Sequence, residues 1–397
     1  MPSPLPEHPG LLVRDPLRFS DATIIIPPPL VPLLALFDGH HDELDLAAAV
    51  VRATGELQVQ ALVRQLVDAL SAAGVLQNDV FARLRDERFT AFARAPLREA
   101  AHAGSAYPAE AEALGETLRR YLDGGTRPGS GSVPAGHPVI GIAAPHVSPE
   151  GGWRCYRDAY AALPPEPAPG TVVVLGTSHY GEPERFGLTR KSFQTPLGAA
   201  PVDLAVVEFL EAEGGPAVKM EDYCHSVEHS IEFQVVFLQH LLGPGVPIVP
   251  ILCGPFARAG PAGVPEDDPG VERFLGALAA LGAREGKRLF WVLGVDLAHV
   301  GRRYGDPFAA RADLAEMVEV AARDRARLRR VAAGDAAGFW EQVRENGDDL
   351  KWCGASPFYA FLRAAAPVRA ELLRYEQWNI DPDSVVSFAG LSFSRPA

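Results

Sequence analysis

The chain has 397 residues, enough for two or three domains with sizeable cores, and its 47% apolar and 22% charged residues fall in the globular range. A net charge of −13 argues against a nucleic-acid grip, which needs clustered Lys and Arg, and four cysteines in this length do not make a disulfide scaffold. The N-terminus shows no basic segment followed by an apolar one, and the apolar stretch Thr23 to Phe37 is cut by prolines and too short for a bilayer, so no membrane association is expected and the cytoplasm is the expected compartment.

The first part runs over residues 11–79. Ala22 to Ile26 reads as a strand, Leu30 to Phe37 as a short helix with Pro in its first turn, and Leu44 to Val51 as a second helix. Leu57 to Ala73 is a third, with Leu62, Leu66 and Leu70 on one apolar face; Gly74 ends it and Val75-Leu76 opens a short strand. This order predicts a winged helix-turn-helix. Pro28-Pro29-Leu30, Phe37-Asp38-Gly39 and Ala73-Gly74-Val75-Leu76 resemble small domains of the PqqD type, found with radical enzymes and peptide-modifying systems. The third helix carries Arg64 as its only basic residue, so a protein- or peptide-docking module is favoured over a DNA reader. The charged stretch Arg85 to Arg98 reads as a linker, which puts the boundary segment at residues 80–98.

From residue 99 to 397, strands and helices alternate. Helices are expected at Glu110 to Leu122, Trp153 to Leu163, Val202 to Glu211, Val227 to Leu242, Gly270 to Ala283, Pro307 to Ala332, Ala336 to Asn346 and Ser356 to Ala365, with a Gly/Pro/Ser-rich loop at Gly124 to Gly136. Val368 to Tyr375 and Val385 to Phe393 read as closing strands. The alternation implies an α/β fold with a largely parallel sheet flanked by helices.

Three apolar, β-branched runs in this part end in polar residues. Val139 to Ala144 leads to Pro145-His146, Val172 to Thr177 to Ser178-His179, and Leu289 to Val295 to Asp296-Leu297-Ala298-His299. Each reads as a buried strand opening into a loop, and open α/β sheets bind ligands beyond the carboxyl ends of their strands. Two imidazoles, a carboxylate and a third imidazole on one rim predict a metal or acid–base site.

His102-Ala103-Gly104-Ser105, Ala144-Pro145-His146, Gly176-Thr177-Ser178-His179, Glu228-His229-Ser230-Ile231-Glu232, Asp296-Leu297-Ala298-His299 and Cys353-Gly354 stand in the order found in the Memo family. From Ala101 to Phe393 the chain resembles that family, which is similar in fold to LigB-type extradiol dioxygenases. The resemblance implies metal ligands at His146, His179 and Cys353, with Asp296 and His299 lining the same pocket. It also implies iron or copper, with zinc as the third option, and association with radical-SAM and AMMECR-type proteins. Two His and a thiolate suit such ions, whereas ring-cleaving dioxygenases need two His and one carboxylate. The pocket wall departs from the family pattern: Val147-Ser148-Pro149 stand where Ala-Gly-Tyr is frequent, Tyr180 where a second His is frequent, and Ala298 where Cys or Ser is frequent.

Asp296 and His299 are three apart; on a helical turn they would share a face, and the carboxylate would favour an imidazolium able to donate a proton. A cap on the next helix is the alternative role for Asp296. Glu228 reads as an acidic residue at a helix N-terminus, with His229 and Glu232 as partners behind the ligands and His102 packed under the pocket. Cys155, Cys224 and Cys253 read as structural, Cys224-His225 being a secondary metal candidate. Three functions follow: a redox or oxygen-using metalloenzyme in a modification pathway, a non-catalytic peptide-binding protein with a structural metal, or an extradiol-type dioxygenase.

Overall fold

The computed structural model describes residues 7–123, 138–164, 170–256, 263–286 and 288–396. The loop expected at Gly124 to Gly136 lies outside them. The chain divides into two compact units, Met1–Arg94 and Ala95–Ala397.

In the first unit, β1 (Leu11–Arg14) pairs antiparallel with β2 (Thr23–Ile26), and a 3-10 helix at Pro28–Leu36 follows. Helix α1 (Glu43–Thr54) opens on a capping box in which Asp42 and Asp45 exchange bonds with each other's backbone N–H groups, and it closes on Gly55 in the left-handed region. Helix α2 (Gln60–Ala72) buries Val63, Leu66 and Leu70, with Val59 just ahead of it. Leu62 is 41% exposed instead, because the 59-63-66-70 stripe matches the helical repeat and claims the core. Val75 and Leu76 form no strand. The charged stretch expected to be a linker is mostly helix α3 (Asp79–Arg94): its charges face outward while Phe92 is buried and Phe81 and Phe89 pack edge-on against Phe19.

In the second unit, α4 spans Ala111–Leu122, β3 Val139–Ala144, α5 Pro149–Tyr160, β4 Thr171–Thr177, β5 Phe186–Leu188, α6 Leu204–Gly214 and β6 Val218–Met220. Then come α7 (Glu232–Leu242), β7 (Ile248–Cys253), α8 (Pro269–Glu285), β8 (Leu289–Gly294), β9 (His299–Gly301), α9 (Glu316–Ala332), α10 (Ala336–Arg344) and α11 (Ala355–Ala364). A long hairpin, β10 (Arg369–Asp381) and β11 (Ser384–Ser394), closes the fold. The strand order is β9-β11-β3-β8-β4-β7-β5-β6, with β10 on β11. The four central strands β3, β8, β4 and β7 run parallel, and β4, β7 and β8 are buried along their whole length, as parallel strands covered on both faces must be. The flanks at β11 and β5 are antiparallel. The molecule is therefore α/β with a mostly parallel sheet flanked by helices, and all four central strands end at one edge. His146, His179 and Asp296 lie just past that edge.

Two sequence expectations fail there. The helix expected from Val227 begins at Glu232, after a 3-10 turn at Tyr223–Ser226, so residues 227–231 form a loop. Pro307 to Ala315 likewise precede α9 instead of opening it.

Candidate metal centre

His146 sits immediately beyond β3. Its Nδ1–H donates to the Gly294 carbonyl at 2.9 Å, which leaves the Nε2 lone pair pointing into the pocket. Burial and the neighbouring imidazoles of His179 and His229 hold its pKa well below the ordinary histidine value, so the ring stays neutral. The Cys353 thiol stands 3.3 Å from Nε2. Cys353 itself is fixed through the main chain. Thr177 Oγ1 donates to its carbonyl at 3.0 Å, and the Gly354 N–H donates to the Asp296 carbonyl at 3.1 Å. A Cβ on Gly354 would lie 2.7 Å from that carbonyl, so only glycine lets this turn press against residues 295–296.

His179, beyond β4, keeps 28% of its side chain exposed in the mouth of the pocket. Its backbone N–H and Nδ1 both reach the Glu228 carboxylate, at 2.8 and 3.0 Å. Burial works against a charge on this ring, but the Glu228 charge and hydrogen bonds with Cys353 and Glu228 outweigh it and hold its pKa well above the ordinary value. The donor atoms of His146, His179 and Cys353 all lie within 4.8 Å of one another, as do those of His179, Glu228 and His229. The second group is a closed hydrogen-bond cluster rather than a ligand set: Glu228 accepts from the Nδ1 atoms of both histidines and from the backbone N–H groups of His179, His229 and Ser230. The His229 ring stacks on His179 at 4.9 Å, and His102 lies edge-on to His229 at 5.6 Å.

The residues expected to do acid–base work take different places. No helical turn forms at Asp296, because Leu297 and Ala298 bond to Ser387 of β11 and His299 opens strand β9. Asp296 therefore caps no helix. One of its carboxylate oxygens accepts the His146 N–H at 3.0 Å and the other lies 3.5 Å from His146 Nε2. Burial raises its pKa to about 7 against the pull of the His146 and Val147 N–H bonds. His299 is not its imidazolium partner. The His299 Nδ1 faces the carbonyls of Leu297 and Lys351 at 3.0 and 3.1 Å, and burial lowers its pKa to about 4, so the ring is neutral with Nε2 as an acceptor.

Glu228 is the residue that the sequence reading undervalued. It is no helix-terminal acid but the carboxylate that orients His179. Glu232, four residues on at the start of α7, is buried in an ion pair with Arg98, and it also accepts from Tyr107 and from the backbone of Ala101 and His102. Arg98 in turn donates to the carbonyls of His225 and Glu228 at 2.7 Å each, tying the Glu228 loop down. Cys155, Cys224 and Cys253 are buried. His225 Nε2 bonds the Gly187 carbonyl, and among the described residues no third donor completes a site with Cys224. A cavity of about 470 Å³ opens from His179 and Cys353 and is walled by Phe256, Trp340, Trp352 and Ser356.

Two imidazoles and a thiol gathered at the carboxyl edge of a mostly parallel sheet, beside a cavity, define an α/β protein with a candidate metal centre. The Memo-like protein family profile matches residues 98–392, and the chain belongs to that family. A MEMO1 family protein of Aquifex aeolicus is 28% identical over 393 residues, covering 96% of this chain and 95% of its own length, so the match extends into the first unit. A MEMO1 family protein of Thermococcus kodakarensis is 31% identical over 312 residues, 75% of this chain and 100% of its own length. One from Pyrococcus furiosus is 29% identical over 308 residues, 74% and 98% respectively. No described helix is long and apolar enough to cross a membrane.

Proposed function

We propose that His146, His179 and Cys353 hold a redox-active first-row metal ion, iron or copper, with zinc as the redox-silent option. In this reading the protein is a metal-dependent oxidoreductase or oxygen-using enzyme in a modification pathway. The observation that carries it is the convergence of two imidazole nitrogens and one thiol within 4.8 Å of one another, beside a cavity large enough for a substrate. The donor set fits: imidazole suits iron, copper and zinc, and thiolate favours the softer of these. Both histidines bond through Nδ1 to a protein acceptor, the arrangement that fixes a ligating tautomer. A bound ion would supply one-electron exchange and open coordination positions. The chain's own groups do the rest. Glu228 orients His179, the aromatic walls exclude water, and Asp296, with its pKa near 7, holds or releases a proton at its carboxyl oxygen. His299 accepts a proton at Nε2.

The thiol in third place separates the site from the two-His, one-carboxylate set of ring-cleaving dioxygenases. Radical-SAM and AMMECR-type proteins are the partners this reading takes from the family resemblance. The first unit would serve as a docking module for a protein or peptide, in keeping with its exposed Leu44, Leu57 and Leu62. Anaerobic purification followed by metal analysis of His146→Ala, His179→Ala and Cys353→Ala tests the site. Each variant should lose most of its metal while the chelated protein melts as the chelated wild type does; wild-type stoichiometry in all three would reject it.

A further inference from the structure

Asp324 lies in α9, completely buried. Three neutral donors meet on its carboxylate: the Trp352 indole N–H at 2.7 Å, the Tyr375 hydroxyl at 2.7 Å and the Ser387 hydroxyl at 2.6 Å. Among the described residues no cation bonds it directly; Arg327 bonds Asp348 and the Val343 carbonyl. A carboxylate buried without a bonded cation is costly in a helix–sheet contact that an apolar side chain could fill. What it does here is collect three donors on two oxygens, which no neutral side chain of that size can do.

Those donors reach the site from two directions. Trp352 directly precedes Cys353, and its ring walls the cavity. Ser387 accepts the Ala298 N–H on its hydroxyl at 2.9 Å, and its backbone bonds Leu297 and Ala298, which join Asp296 to His299. We infer that Asp324 is a positioning residue for the candidate metal centre: by holding Trp352 and Ser387 in one frame it sets where the Cys353 thiol and the Asp296–His299 segment stand. Cys353 is then pinned from both sides, by Thr177 on its carbonyl and Asp296 on the next residue's N–H, and by the Trp352 indole behind it. The functional importance of this frame rests on the proposed metal reading, but the frame can be tested without metal.

The test uses full-length, chelated protein and the alkylation rate of each cysteine, read by mass spectrometry. Cys155, Cys224 and Cys253 are buried and Cys353 is half-buried, so the other three report any general loosening. Trp352→Phe removes the indole donor and keeps a ring; Asp324→Leu removes the acceptor; Asp324→Asn keeps one acceptor for the indole. Loss of a hydrogen bond that restrains a local opening should raise the Cys353 rate roughly 5–10-fold in the first two variants, with the other cysteines unchanged. Asp324→Asn should fall between them and wild type. In the cobalt-loaded protein the same order should appear as a shift of the thiolate-to-metal charge-transfer band. An unchanged Cys353 rate in folded Trp352→Phe, or an equal rise at all four cysteines, would overturn the inference. Trp352→Phe keeps the test decisive if Asp324→Leu does not fold. Wild-type protein that binds no metal would defeat the proposed function alone and leave the alkylation result to stand or fall by itself.

Discussion

The two flanks of the candidate centre are built from the same residue types in opposite ways. On the Glu228 flank, buried carboxylates meet cations or imidazoles: Glu232 pairs with Arg98, and Glu228 takes His179 and His229. Burial pushes both carboxyls up, yet the Arg98 charge on Glu232 and the His179 charge and hydrogen bonds on Glu228 win, and both sit below the ordinary glutamate value. On the Asp296 flank, the carboxylates of Asp296 and Asp324 accept from backbone N–H, indole and hydroxyl groups, and the imidazole beside Asp296, that of His146, is neutral. There burial wins, and both are raised, Asp296 to about 7. Partners, not burial, decide which carboxyl keeps its proton. One side of the pocket is thus a fixed charged frame, and the other can exchange a proton near neutral pH.

Breaking each frame should cost different amounts. Arg98→Ala strands the buried Glu232 charge and should destabilise the protein by about 3–5 kcal/mol, whereas Ser387→Ala removes one of several neutral donors and should cost about 1–2 kcal/mol. Equal losses in denaturant melts would erase the distinction. The histidines sharpen it next. His225 and His299, bonded to carbonyls and not to carboxylates, have pKa values of about 4. Their unfolded forms take up protons near 6.5, so the stability they contribute is full above that pH and is lost as pH falls from 6.5 towards 4, by on the order of 2–3 kcal/mol each. His225→Gln and His299→Gln should each flatten the acid limb of Tm against pH; an unchanged limb in both would contradict the buried, neutral assignment.

The smallest effects concern single carboxyls. Glu228→Gln should weaken metal binding by about 10–100-fold, the usual result of losing a ligand-orienting partner. Asp296→Asn should change affinity less and alter stability with the opposite pH trend. Because the folded pKa of Asp296 is raised, its contribution is full below about 4 and lost as pH rises through about 7. The variant should therefore gain on wild type between pH 5 and 8, by on the order of 1–2 kcal/mol after a weakened N–H bond is counted. A difference that stays flat across pH 5–8 would show that Asp296 is ionised in the fold.

The sheet and three of its strand-end residues are legible in the sequence because buried parallel strands leave unbroken apolar runs, and each of the three runs ends just ahead of His146, His179 or Asp296. Cys353 has no such signal. It sits in the turn at Cys353-Gly354 just ahead of α11, and only its motif marks it. Glu228 was hidden by periodicity. The apolar pattern of α7 extends back to Val227, but Cys224 and Asp222 close a 3-10 turn that ends at Ser226, and five loop residues separate it from the helix. An acidic residue beside His229, ahead of a helix and facing no basic residue in sequence, was the available clue. The Asp296–His299 expectation failed for a non-local reason: β11, about 90 residues further along the chain, claims residues 297–301 by strand pairing. Helix α3 was masked by its exposed charges, since its three phenylalanines are too few to dominate the composition.

The central claim is that two imidazoles and one thiolate bind one ion. X-ray absorption at the metal edge of anaerobically purified protein tests it most directly. The account predicts a shell with two nitrogens at about 2.0–2.1 Å and one sulfur at about 2.3 Å, the sulfur vanishing in Cys353→Ser. A shell of nitrogen and oxygen alone in the wild-type protein would contradict it.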